Sequence, residues 1–167
     1  ALQIVMSDKA LERLYKGQNS FHGGCTTKIA LFFCYLMKFV GKGKHLFPSI
    51  KQEYQCRCIQ VTEQNRKQVE LLLQGKIIDT PGHTADSISL LLNDGSLFCG
   101  DAAMNGLPSL HRITIWAEDK TAFLKSWETI IALRPNLIYP GHGKPFEYED
   151  LKINLKRAKN MELLPIQ

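Results

Sequence analysis

A chain of 167 residues, 44% hydrophobic and 22% charged, fits one domain with a sizeable core and has the composition of an ordinary soluble globular protein. A formal net charge of +5 and a pI of about 9.0 permit acidic partners without requiring them. The basic residues are scattered except for Lys152, Lys156, Arg157 and Lys159. With no aromatics between them these four read as a solvated helix face, so no nucleic-acid partner is expected.

The five cysteines are Cys25, Cys34, Cys56, Cys58 and Cys99, an odd number without an extracellular signature. They predict reduced thiols in a cytoplasmic protein. Cys56-Arg57-Cys58 lacks zinc-knuckle spacing and predicts two half-buried thiols on one face of a strand. The chain opens on Ala1 rather than methionine and without a signal-peptide pattern, from which a preceding segment is expected.

Ile4 to Met6 predicts a short strand. Ser7 or Asp8 then caps a helix running to Lys16, with Leu11, Leu14 and Tyr15 on one side and Gly17 as its stop. A loop from Asn19 to Gly24 carries His22. Thr26 or Thr27 caps the most apolar segment, Ile29 to Val40, which Gly41-Lys42-Gly43 ends. Interrupted by Lys38 and about a dozen residues long, that segment is too short to cross a bilayer. Its apolar residues occupy all sides of a helix, which predicts burial, with a substrate cap or a membrane-surface contact as alternatives. No membrane partner is expected.

From Gln55 the period shifts towards strands: Cys56 to Val61, Val69 to Leu73 and Lys76 to Asp79. Ser87 to Leu92 and Ser96 to Cys99 flank Asn93-Asp94-Gly95, a strong hairpin signal. Asp119 caps a helix whose Phe123, Trp127, Ile130 and Ile131 follow helical spacing, and Arg134-Pro135 stops it. Leu137 to Tyr139 predicts a buried strand and Glu149 to Lys159 a final surface helix. A hairpin-bearing sheet flanked by helices predicts an α/β layered domain over residues 1–167 rather than a bundle or a barrel.

Three short segments then carry the chemistry: Thr80-Pro81-Gly82-His83-Thr84, Gly100-Asp101-Ala102-Ala103 and Tyr139-Pro140-Gly141-His142-Gly143. Alone, His83 after Pro-Gly is more often a turn residue than a ligand, and Asp101 after glycine is equally bland. His142 between glycines is more suggestive, because the backbone can bend enough to project the ring inward. Together they change the reading. Each follows a strand, and strand ends of one sheet lie within several ångströms of each other. Two imidazoles and a carboxylate suit a divalent cation: zinc, iron or manganese.

The segments IIDTPGHTADSISLLL, LFCGDAAM and LIYPGHGKPF resemble the third, fourth and fifth motifs of the metallo-β-lactamase superfamily. Their order and their spacing of about 18 and then 41 residues are those of its glyoxalase II-like and general hydrolase branches. The likeness covers roughly Lys76 to Pro145, and IVMSDKALERLYKG more loosely resembles the strand and helix after the second motif. It implies an αβ/βα four-layer sandwich and a two-metal hydrolase, with zinc as the expected metal. His83 would then ligate the first ion, Asp101 bridge both, and His142 ligate the second. Two such ions bring a water towards neutral pKa, ready to attack an ester carbonyl or phosphoryl centre.

The family's second motif, His-x-His-x-Asp-His, does not occur in this chain, and His22, His45 and His111 are single and wrongly spaced to replace it. The resemblance therefore implies the C-terminal two-thirds of a domain, N-terminally incomplete. Two protein ligands per ion predict weak or absent metal binding. An exposed sheet edge and apolar surface predict self-association or pairing with an N-terminal segment. A small-molecule thioester, lactone or other ester is the expected substrate. A non-catalytic, partner-binding relic is the alternative, and an RNA-processing nuclease is less favoured. The loop from Met104 to Trp116 is the expected pocket wall, with Arg112 and Trp116 either lining it or packing.

Overall fold

The computed structural model describes residues 3–18, 22–41, 48–49, 51 and 57–166. Strand β1 (Ile4–Ser7) leads into a 3-10 turn over Asp8–Ala10 and helix α1 (Leu11–Lys16). Ser7 caps that turn by accepting from Lys9 N, and Gly17 ends α1 in the left-handed conformation, donating to Arg13 O. A two-residue strand β2 (Gly24–Cys25) precedes helix α2 (Lys28–Phe39), whose cap is Thr27: its side chain accepts from Ala30 N. Strand β3 (Cys58–Val61), helix α3 (Arg66–Leu73) and strand β4 (Gly75–Asp79) follow. Strands β5 (Ile88–Leu92) and β6 (Ser96–Gly100) form the expected hairpin. Strand β7 (Trp116–Ala117), helix α4 (Lys120–Leu133), strand β8 (Leu137–Pro140) and helix α5 (Tyr148–Asn160) complete the order.

The largest sheet has the order β4-β5-β6-β8, antiparallel except for the parallel β6–β8 pair. β1 pairs with β3 in parallel, and β2 with β7 antiparallel. Alternation along β6 sends Leu97 and Cys99 into the core and leaves Phe98 outside, stacked on Tyr139 at 4.9 Å. The inward face meets Phe123, Trp127 and Ile130 of α4 and Leu151 of α5, all fully buried. A smaller cluster joins Val61, Val69 and Ile77 and ties β3, α3 and β4 together. This is an α/β fold. Its consequence for function is that β4, β6 and β8 end beside one another, each followed by a tight loop.

Two expectations are overturned. The segment from Val69 to Leu73 is not a strand but most of α3. Thr62 and Asn65 make a reciprocal side-chain–backbone turn immediately before it, and Val69 alone of the helix is buried, with Leu71 and Leu72 facing solvent. That turn commits the chain to helical dihedrals, which local β propensity does not override. The apolar helix α2 is not buried either. Only Ala30 is enclosed, while Ile29, Phe32, Tyr35, Leu36 and Phe39 are exposed.

Helix α3 meets the outer edge of β4 at Ile77. Arg66 donates to Ile77 O at 2.9 Å and Ile77 N donates to Glu70 at 2.8 Å, so α3 satisfies both outward backbone groups of that residue. Lys152, Lys156, Arg157 and Lys159 lie on the exposed side of α5, with Lys159 paired to Glu128 and Arg157 donating to His111. Among the described residues no helix is long and apolar enough to cross a membrane. Cys56 and His45 lie outside the described residues.

Cys25, Cys34 and Cys99 are free thiols. Cys25 on β2 and Cys34 on α2 share a hydrogen bond that holds the Cys25 thiol well above its usual range and lowers Cys34. Burial pushes Cys99 up to about 12. Iodoacetamide is therefore expected to alkylate Cys34 before Cys25 or Cys99, because the thiolate is the nucleophile. Peptide mass spectrometry after brief labelling checks this; Cys25 modified first would contradict it.

Candidate metal centre

The three loops singled out in the sequence converge. His83 follows β4, Asp101 follows β6 and His142 follows β8. The Asp101 and His142 loops are joined directly, since Gly141 N donates to Gly100 O at 2.7 Å. Asn105 N donates to His142 O at 2.9 Å and fixes the far side of the same loop.

Asp101 stands between the two imidazoles and turns a different oxygen to each. Its Oδ2 is 3.7 Å from His83 Nε2, and its Oδ1 is 2.7 Å from His142 Nδ1. His83 is held by its other nitrogen: Nδ1 lies 2.8 Å from Trp116 O. A carbonyl only accepts, so Nδ1 carries the proton and the Nε2 lone pair points towards Asp101. An imidazole oriented through its second nitrogen in this way is the usual arrangement for a metal ligand. Thr114 Oγ1, 3.2 Å from the same Nδ1, supports the ring from behind.

The two halves of the centre differ in readiness. Tetrahedral ligands about 2.1 Å from an ion stand roughly 3.4 Å apart, close to the spacing of His83 and Asp101. The 2.7 Å contact of His142 with Asp101 is a hydrogen bond, too short to admit an ion between them. The His142 side chain is 66% exposed against 22% for His83 and Asp101, so its ring has room to turn. The donor chemistry suits zinc, iron or manganese, with two donors for each ion. Among the described residues no three His, Cys, Asp or Glu side chains converge on one ion position.

Beside the centre is a cavity of about 320 Å³ lined by His83, Asp101 and His142. Its walls are Phe33 from α2 with Met104, Leu107, Pro108, Ile115 and Trp116 from the loop that the sequence marked as pocket wall. Arg112 belongs to packing instead: it bonds Asp150 and Asn105 and lies over the Phe146 ring. His22 is not among the lining residues, and His111 lies beside Arg157.

Phe33, Thr84 and Glu118 also line the cavity and carried no local signal. Glu118 is engaged structurally. Arg13 Nη1 is 3.0 Å from its Oε1, and Ala85 N donates to its Oε2 at 2.8 Å. That bridge fastens α1 to the His83 loop.

The Asp101 loop is anchored from beneath. Trp127 Nε1 donates to Ala102 O at 2.8 Å, and the indole packs on Phe123 with ring centroids 5.4 Å apart. Trp127→Ala is expected to cost about 3–5 kcal/mol by denaturant unfolding. Trp127→Phe restores most of the packing but leaves the Ala102 carbonyl unpaired, at about 1–3 kcal/mol. Equal stability of Trp127→Phe and wild type would show that the hydrogen bond carries no weight.

No protein-family model matches the chain. Over 93 residues it is 38% identical to the Drosophila melanogaster protein named Beta-lactamase-like protein 2 homolog, a match covering 53% of this chain and 30% of that protein. The chain thus matches less than a third of the length of its curated relatives. An archaeal metallo-β-lactamase superfamily protein from Sulfolobus tokodaii superposes with TM-score 0.55 and 16% identity, over 99% of this chain and 61% of that one. TTHA1623 in a di-iron-bound form gives TM-score 0.54 and 16% identity, over 92% of this chain and 62% of that one. The relatives share sequence over about half of this chain, and the solved structures share its fold, which is that of metallo-β-lactamase superfamily proteins.

Proposed function

We propose that this chain carries part of the active centre of a metal-dependent hydrolase, with His83, Asp101 and His142 as ligands. The observation that carries the reading is the placement of Asp101, one oxygen facing His83 and the other facing His142. A carboxylate so placed would hold a divalent cation together with either imidazole and supply its negative charge. Zinc, iron or manganese bound there would supply an activated water and a charge to steady the developing oxyanion.

The chain's own residues do the rest. Trp116 O holds the proton on His83 Nδ1 and keeps Nε2 available. To ligate a metal, His142 would give up its hydrogen bond to Asp101. Phe33, Ile115 and Trp116 exclude water from one side of the cavity and accept apolar substrate groups. Among the described residues lining the cavity none is a lysine or an arginine, which favours an uncharged thioester, lactone or other small ester over a polyanion. With two donors from this chain for each ion, tight binding needs further ligands from outside these three loops.

Elemental analysis after zinc loading tests the ligand set. Zinc taken up by the wild type should be lost in His83→Ala; uptake unchanged by that substitution would overturn the assignment. A hydrolysis panel of thioesters, lactones and single-stranded RNA tests the substrate. Cleavage confined to RNA would overturn the ester reading and leave the hydrolase standing.

A further inference from the structure

The apolar side of α2 is the largest feature of the molecule that the centre does not use. Ile29, Phe32, Leu36 and Phe39 recur at helical spacing on one face, with Tyr35 and Val40 beside them. Phe32 is 71% exposed and Phe39 is 89% exposed, so these are not partly tucked core residues. The opposite side is the one that packs: Ala30, Leu31 and Cys34 meet Cys25 and Trp116.

The charge along this stretch of the sequence is one-sided. From residue 28 to residue 52 the chain has five lysines, Lys28, Lys38, Lys42, Lys44 and Lys51, and no acidic residue. The remainder has 16 basic residues against 16 acidic ones, so the entire net charge of +5 resides in this stretch. A second copy of the chain is a poor occupant for such a face. Packing α2 on α2 sets lysines against lysines with no carboxylate on either helix.

An apolar aromatic face on a helix whose charged residues are Lys28 and Lys38, within a lysine-rich stretch of sequence, fits a surface that is apolar below and anionic above. We propose that α2 docks reversibly on an anionic lipid bilayer, with Phe32, Leu36 and Phe39 sunk to the acyl boundary and the lysines at the headgroups. The helix is too short to cross and lies along the interface. Phe33, on the flank of the same helix, lines the cavity, so docking brings the cavity beside the lipid. This revises the expectation of no membrane partner, and it does not depend on which residues bind metal.

Flotation of the full chain with vesicles tests it. The wild type should rise with vesicles of phosphatidylcholine doped with phosphatidylglycerol, bind phosphatidylcholine alone far less, and be released by added salt. The double variant Phe32→Ser, Phe39→Ser should lower the partition coefficient at least about tenfold. Should that variant fail to fold by circular dichroism, the single variant Phe32→Trp carries the test through a blue shift of emission on adding the anionic vesicles. No flotation of the wild type, no loss in the double variant, or no spectral shift in Phe32→Trp overturns the proposal. A dimer in sedimentation velocity that the double variant abolishes, without vesicle binding, overturns it in favour of a second copy.

Discussion

Asp101→Ala is expected to remove metal uptake and hydrolysis together, lowering kcat/KM on the order of 10³-fold or more. In the proposed centre each imidazole is a neutral donor, so Asp101 would be the only anionic ligand of the three, and it is the one that touches both others. Losing it leaves each ion a single protein ligand. Asp101→Asn separates charge from shape: it keeps one oxygen donor but loses the negative charge, and an intermediate loss is expected.

Glu118→Gln is the informative contrast, since Glu118 is the other carboxylate lining the cavity. Its oxygens are taken by Arg13 and Ala85 N, so that substitution should lower stability and leave the metal content per folded molecule unchanged. Metal analysis by mass spectrometry beside steady-state kinetics reads both. Full metal content in Asp101→Ala would sink the bridging role.

The candidate centre was legible where local chemistry decides local structure. Pro81-Gly82 before His83, Gly100 before Asp101 and the glycines about His142 all mark turns after strands, and those turns are where the structure brings His83, Asp101 and His142 together. The Asn93-Asp94-Gly95 hairpin and the Asp119 cap are equally local, and both formed as expected. What connects the ligands was not legible. Trp127 reaches Ala102 across 25 positions and Arg13 reaches Glu118 across 105, distances over which periodicity carries no information. Helix α2 shows a second limit. Its composition states that it is apolar, but only the packing of Ala30 and Cys34 states which side is left outside. For α3 the run Val69 to Leu73 concealed a helix whose clearest sign was the Thr62–Asn65 turn upstream.

Gly82→Ala is expected to damage fold and centre together. Gly82 has φ +133°, a conformation that side-chain-bearing residues avoid. A Cβ added there would stand 2.3 Å from Phe123 Cα and 2.4 Å from Phe123 N. Those are backbone atoms of α4, and Phe123 is fully buried in the main core, so the helix has nowhere to retreat. Relief must come from the loop, which is itself held by Glu118 N and Asp119 N donating to Gly82 O at 2.8 and 3.1 Å. Backbone strain of about 1–3 kcal/mol adds to a similar overpacking cost, giving a loss of roughly 2–6 kcal/mol in urea unfolding. Because His83 is the next residue, whatever fraction still folds should also bind zinc more weakly than the wild type. Gly41→Ala is the control: Gly41 is likewise left-handed, at φ +78°, yet among the described residues beyond its chain neighbours no atom lies within 4 Å of an added Cβ. It should therefore show the strain cost alone, with zinc affinity unchanged. If the two variants lost the same stability, the close approach of Gly82 to Phe123 would not be what demands glycine there.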